Sequence, residues 1–103
     1  MNWRVEFRPE VEQDVAEATT WYEACQVGLG AEFVEEVICV WNALAENPLL
    51  NSRRDPAKNI RWRYPERFPY RIVYQVDELE KTVIVVAVLH SARHNREWRK
   101  RFS

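Results

Sequence analysis

Glycine is almost missing from this chain: Gly28 and Gly30 are the only two in 103 residues, and proline occurs five times. So little of either leaves no Gly/Ser-rich or Pro-rich linker. No internal repeat is visible, so residues 1–103 are expected to form one domain. Cysteine is equally scarce. Cys25 and Cys39 lack a CxxC spacing and have no local histidine partner, which removes the usual zinc and dithiol redox motifs. The expectation for them is two buried thiols in a reducing cytosol. Histidine occurs only as His90 and His94. The first ends a strand, so the two do not share a helix face as a metal pair would. There is no P-loop, no Gly-rich dinucleotide turn and no G-x-S-x-G elbow. No metal and no cofactor is therefore expected. The longest apolar run, Val83 to Leu89, is far too short to span a bilayer, and the opening residues lack the apolar stretch of a signal peptide. A cytoplasmic protein with no membrane partner is the expectation.

What the chain does have is apolar bulk. Hydrophobic residues make up 47% of it and aromatic residues 13%, five of them tryptophan, enough to build a core without disulfides. Charge is divided along the chain. Residues 1–50 carry two arginines against ten carboxylates, a net of −8, and residues 51–103 carry thirteen Lys or Arg against six carboxylates, a net of +7. A basic second half suits an anionic partner, either nucleic acid or an acidic protein segment. Mutual attraction of the two halves within the fold is the plainer alternative.

Trp3, Val5 and Phe7 alternate with polar residues, the period of a half-buried strand. Pro9 suits a first helical turn, and the acidic Glu10, Glu12 and Asp14 suit the positive end of a helix dipole. Val11, Val15, Ala18, Tyr22 and Cys25 then recur at helical spacing, as do Leu29, Phe33, Val37, Val40, Trp41 and Leu44 beyond the glycines. Asn47-Pro48 stops the second helix. These two helices form an antiparallel hairpin. After a polar loop, Ile60–Tyr64, Tyr70–Val76 and Thr82–Leu89 read as a meander of three antiparallel strands. The order is β-α-α-β-β-β with a possible terminal helix, an α+β fold whose hairpin packs on one face of a small antiparallel sheet. If the alternation holds, Arg61, Arg63 and Arg71 line the opposite, open face. A one-residue register error would invert that placement.

The cluster that could carry chemistry is His90-Ser91-Ala92-Arg93-His94, at the exit of the most apolar strand. A histidine here suits general acid–base work near neutral pH. Arg93 with Arg61 and Arg63 suits phosphate binding and charge stabilisation. RNA cleavage by its own 2′-OH needs those roles and no metal, which makes Arg61, His90 and Arg93 the catalytic candidates of a ribonuclease reading. The bland alternative is a strand cap and an ordinary ion pair. In the tail, Trp98, Arg99 and Arg101 mix rings with cations as base-stacking surfaces do. The favoured reading, however, has Trp98 and Phe102 pinning a short helix to the core, with the cations left in solvent.

A family resemblance joins these pieces. Trp21-Tyr22-Glu23, Gly28-Leu29-Gly30 and Phe33, Asn47-Pro48, Ile60-Arg61, Phe68-Pro69-Tyr70-Arg71-Ile72-Val73-Tyr74, and Val88-Leu89-His90 with Arg93 follow one another in order. Together they resemble the ParE-type toxins of the RelE/ParE superfamily, often described as plasmid stabilisation toxins, from about Val5 to Arg101. The resemblance implies a toxin bound and neutralised by a small antitoxin in a hetero-oligomer. ParE members poison DNA gyrase, whereas RelE members cut mRNA on the ribosome, and a shared fold does not choose between them. This tail has no tyrosine, and no histidine after His94, and the net charge is −1. Those departures weigh against the ribonuclease and leave a non-catalytic gyrase inhibitor as the expectation. A degenerate toxin that only binds its antitoxin is the third reading. The binding residues expected are Arg61, Arg63, Arg71, Arg93, Trp98, Arg99 and Arg101.

Overall fold

The computed structural model describes residues 3–55, 57–93 and 96–102. His94 thus lies outside the described residues. Strand β1 (Arg4–Phe7) leads into helix α1 (Pro9–Cys25) and helix α2 (Leu29–Glu46). Strands β2 (Ile60–Arg63), β3 (Tyr70–Asp77) and β4 (Thr82–His90) follow, then a short helix α3 (Arg96–Arg99) that tightens into a 3₁₀ turn (Lys100–Phe102).

Pro9 occupies the first turn of α1 with Glu10 and Glu12 beside it, as its missing N–H and the helix dipole favour. The hairpin turn uses both glycines, for different reasons. Gly28 adopts φ +90°, a backbone state that costs a side-chain-bearing residue dearly. Gly30 lets the helices touch, since a Cβ there would lie 2.9 Å from the Thr19 carbonyl oxygen. Glu23 closes the turn by accepting hydrogen bonds from the Gly28 and Gly30 N–H groups, which caps the otherwise open start of α2.

The sheet has the strand order β1-β4-β3-β2. The expected antiparallel meander is present as β2-β3-β4, but β1 adds parallel to β4, so the complete sheet is mixed. The α1–α2 hairpin is long enough to carry the chain back for that parallel return. Between β3 and β4 the register slips after Val73: Val73 faces Ala87 and Tyr74 faces Val85, leaving Val86 as an extra residue in β4.

Both faces of the sheet are covered. On the hairpin side Phe33, Val37 and Leu44 of α2 pack with Ile72, Tyr74, Val83 and Val85. On the other side Trp98 and Phe102 close over Ile60, Trp62, Val73, Ala87 and Leu89. Trp98 is only 1% exposed. Burying its ring contributes on the order of 4–6 kcal/mol before entropy is counted, enough to hold so short a helix in place.

Two expectations are corrected here. Arg61, Arg63 and Arg71 do not share an open face. Arg61 sits opposite Tyr74 and Arg63 opposite Ile72, on the hairpin side, while Arg71 sits opposite Leu89 on the tail side. The cause is that Ile60 and Trp62 turn towards the tail, in the opposite phase to Ile72 and Tyr74. Nor are the thiols buried: Cys25 and Cys39 are both exposed, because each falls at the margin of its helix's apolar stripe. Among the described residues no helix is long and apolar enough to cross a membrane.

Candidate functional site

Where β4 leaves the sheet, the backbone turns sharply. The Ser91 N–H donates to the Pro69 carbonyl at 2.8 Å and the Arg93 N–H to the His90 carbonyl at 2.9 Å. The Ala92 N–H donates to His90 Nδ1 at 3.0 Å, which makes Nδ1 an acceptor and leaves Nε2 to carry the ring N–H. The His90 ring meets Tyr70 edge-on, with centroids 5.4 Å apart, because the two are direct cross-strand partners. These groups line a cleft of about 230 Å³ with Asp14, Glu17, Trp21 and Arg93. Burial pushes the Tyr70 phenol above its ordinary pKa of 10.0, Arg93 pulls it back, and Glu17 adds to the rise. A phenol and an imidazole in one cleft can exchange protons, while the guanidinium beside them can hold an anion. Trp21, 64% exposed, offers a ring at the rim. Tyr70 and Glu17 were missed in the sequence. The cross-strand register that brings Tyr70 to His90 was the signal available for it, whereas nothing local points to Glu17.

Arg61 is not part of this cleft. It is 6% exposed and is spent on the loop after α2. Its Nη1 donates to the Leu49 and Asn51 carbonyls at 3.0 and 2.5 Å, and its Nε donates to Asn59 Oδ1 at 3.1 Å. Its neighbour on β3 is Tyr74 and that of His90 is Tyr70. Four residues along a strand and two strand spacings put Arg61 and His90 roughly 16 Å apart at the backbone. Arg63 borders a separate recess with Glu36, Cys39 and Tyr64. Arg71 stacks over Trp62 at 4.3 Å and donates to the Tyr64 hydroxyl at 3.3 Å. Arg93 is exposed, with Glu97 Oε1 4.0 Å away. Arg99 lies over the buried Trp98 at 4.8 Å, so that ring is unavailable for stacking on its inner side.

Arg101 has a different task. Its Nη1 donates to Asp14 Oδ2 at 2.7 Å and to the Val86 carbonyl at 2.9 Å, and its Nη2 donates to Asp14 Oδ1 at 3.1 Å. Asp14 Oδ2 also accepts from the Val88 N–H at 2.9 Å. β1 pairs with β4 only as far as Val85, where the Arg8 N–H donates to its carbonyl. The Asp14–Arg101 pair therefore satisfies the backbone groups of β4 that β1 leaves uncovered. Asp14 favours the charged guanidinium more than burial disfavours it. A second pair missed in the sequence holds the 65–69 turn to α2. Arg67 donates its backbone N–H and its guanidinium to Glu36, and reaches Glu32 at 3.0 Å.

Among the described residues no three His, Cys, Asp or Glu side chains gather as a metal set. A family model for the ParE toxin of type II toxin–antitoxin systems, parDE, matches residues 5–95. No curated protein matches. Among solved structures, a chain of the chromosomal ParDE system of P. aeruginosa superposes with a TM-score of 0.72 at 12% identity, over 85% of this chain and 95% of that one. A chain of the intact E. coli RelBE toxin–antitoxin complex gives 0.67 at 19%, covering 88% and 99%. The isolated E. coli RelE toxin gives 0.66 at 20%, covering 98% and 99%. At such identities the likeness establishes the fold.

Proposed function

The chain belongs to the ParE toxin family of type II toxin–antitoxin systems, and on that footing we propose that it acts by binding, with DNA gyrase as target and a cognate antitoxin as neutraliser. The observation that carries this reading is the commitment of Arg61. A ribonuclease built from Arg61, His90 and Arg93 needs all three at one phosphate. Here Arg61 holds three oxygen acceptors of the protein itself, roughly 16 Å from His90. A buried guanidinium satisfied in this way cannot be released without leaving carbonyls unpaired. The antitoxin reading is supported by the company the fold keeps, since the ParDE and RelBE structures come from toxin–antitoxin systems.

Induced expression followed by pulse labelling of DNA and protein synthesis tests the proposal. DNA synthesis is expected to fall first, with disturbed supercoiling, and a His90→Ala, Arg93→Ala double variant is expected to remain toxic. Translation stopping first, with cleaved messages, would sink the gyrase reading. The cleft of Tyr70, His90 and Arg93 favours that second reading, as a place where proton-transfer groups and a cation converge.

A further inference from the structure

The tail-side face of the sheet carries cations laid over rings. Arg54 and Arg71 lie 4.7 and 4.3 Å from the centre of Trp62. Arg8 and Lys58 lie 5.9 and 5.7 Å from Phe102, and Arg99 lies 4.8 Å from Trp98. Stacking costs these side chains none of their positive charge and holds their N–H groups in place. Of the carboxylates that act on the tail, Asp14 is matched by Arg101 and Glu97 by Arg93, while Glu10 adds its field to that of Asp14 at Arg101. Among the described residues Arg54, Lys58 and Arg99 stand in no ion pair. The opposite side of the molecule is the acidic α1–α2 hairpin, so the two faces carry opposite charge.

We propose that this tail-side face is a phosphate-binding platform for duplex DNA, by which the toxin engages gyrase together with its DNA. Naming DNA rests on the gyrase reading. The preference for a phosphate backbone over an acidic protein rests on what the face lacks. Protein partners are held by apolar anchors seated in pockets. The rings here are covered by their own cations or buried, and the exposed Phe7 and Ile38 belong to the apolar groove on the hairpin side. The recess beside Lys58 does hold Ile84 and the exposed Leu79, but Asp77 and Glu78 also line it and repel an acidic segment seated there. The platform meets DNA in one orientation, because turning the molecule over would bring the hairpin carboxylates to the phosphates.

Five cations against phosphates predict a slope of log K against log salt of about −4.5, which is roughly a 500-fold loss of affinity over a fourfold rise in salt. Anisotropy with a short labelled duplex, without gyrase, measures it. Arg54→Ala, Lys58→Ala and Arg99→Ala are each expected to shallow the slope by about 0.9 while circular dichroism stays unchanged, and Arg54→Lys to keep it. No binding at low salt, or a slope that none of these variants moves, overturns the platform. Tighter binding to an RNA duplex, or only to an acidic peptide, overturns the assignment to DNA. Supercoiling assays separate the two proposals. DNA binding without gyrase inhibition supports the platform and removes the gyrase reading. Inhibition that survives loss of DNA binding in the variants keeps gyrase and refutes the platform's role.

Discussion

Replacing Asp14 by alanine should loosen the two ends of the chain at once. The Asp14 side chain is 9% exposed and that of Arg101 17%, so the pair is largely shielded from water. The substitution strips the two guanidinium bonds and the acceptor of the Val88 N–H. Breaking a buried pair from one side costs about 3–5 kcal/mol, and an orphaned backbone N–H about 1–3 kcal/mol. Water reaching the remaining exposure of Arg101 offsets part of this, which puts the loss at about 2–4 kcal/mol. For a domain of this size that is a fall in Tm of roughly 10–25 °C. Urea unfolding followed by tryptophan fluorescence measures it, Trp98 being the ring that Arg101 helps to seat. The decisive experiment is a double-mutant cycle with Arg101→Ala. The double variant should cost much less than the two single changes together, by about 1.5 kcal/mol or more. Additivity to within about 0.5 kcal/mol would refute the claim that the two side chains act as one clasp.

The remaining predictions concern two titrating groups. Burial pushes the Tyr74 phenol up to about 12 from 10.0, against the pull of Arg61 and Arg63. A raised folded value means stability fully present below pH 10 and lost as pH rises through about 12, which tyrosinate absorbance during alkaline unfolding will report. Tyr74→Phe removes the bond to the Pro48 carbonyl at 3.0 Å and should cost about 1–2 kcal/mol at neutral pH, measured by urea unfolding. For Glu36, burial raises the carboxyl pKa but the Arg67 backbone N–H and guanidinium outweigh it, leaving the group below its ordinary 4.5. The sign is opposite here. Its contribution is present above pH 4.5 and is lost as pH falls through the lower folded value. Acid unfolding of Glu36→Gln should show a weaker pH dependence, and an unchanged profile would count against the pair.

The helices and the meander were legible because each is strongly periodic, and because Asn47-Pro48 and the glycine pair mark their ends. The register of β2 was not. With the hairpin on one side and Trp98 and Phe102 on the other, both faces of the sheet are apolar, and alternation alone cannot say which way Ile60 and Trp62 turn. Arg61 looked like a surface cation for the same reason. An arginine between two apolar neighbours reads identically whether its guanidinium meets solvent or three protein oxygens. The closeness of His90 and Arg93 was legible from sequence adjacency. The arrival of Tyr70 and Glu17 beside them depends on strand pairing and helix packing. The Asp14–Arg101 pair joins residues 87 positions apart, and no local pattern encodes that.

β4 is the last strand made, yet it receives the first strand along half its length and Arg101 along the rest. During synthesis Asp14 precedes the guanidinium it holds by 87 positions. Until Arg101 joins Asp14, the second half of β4 has open N–H and C=O groups on one side. Closure of the clasp therefore comes after β4 is complete, and the time before it closes is when this strand is open to any extended segment nearby.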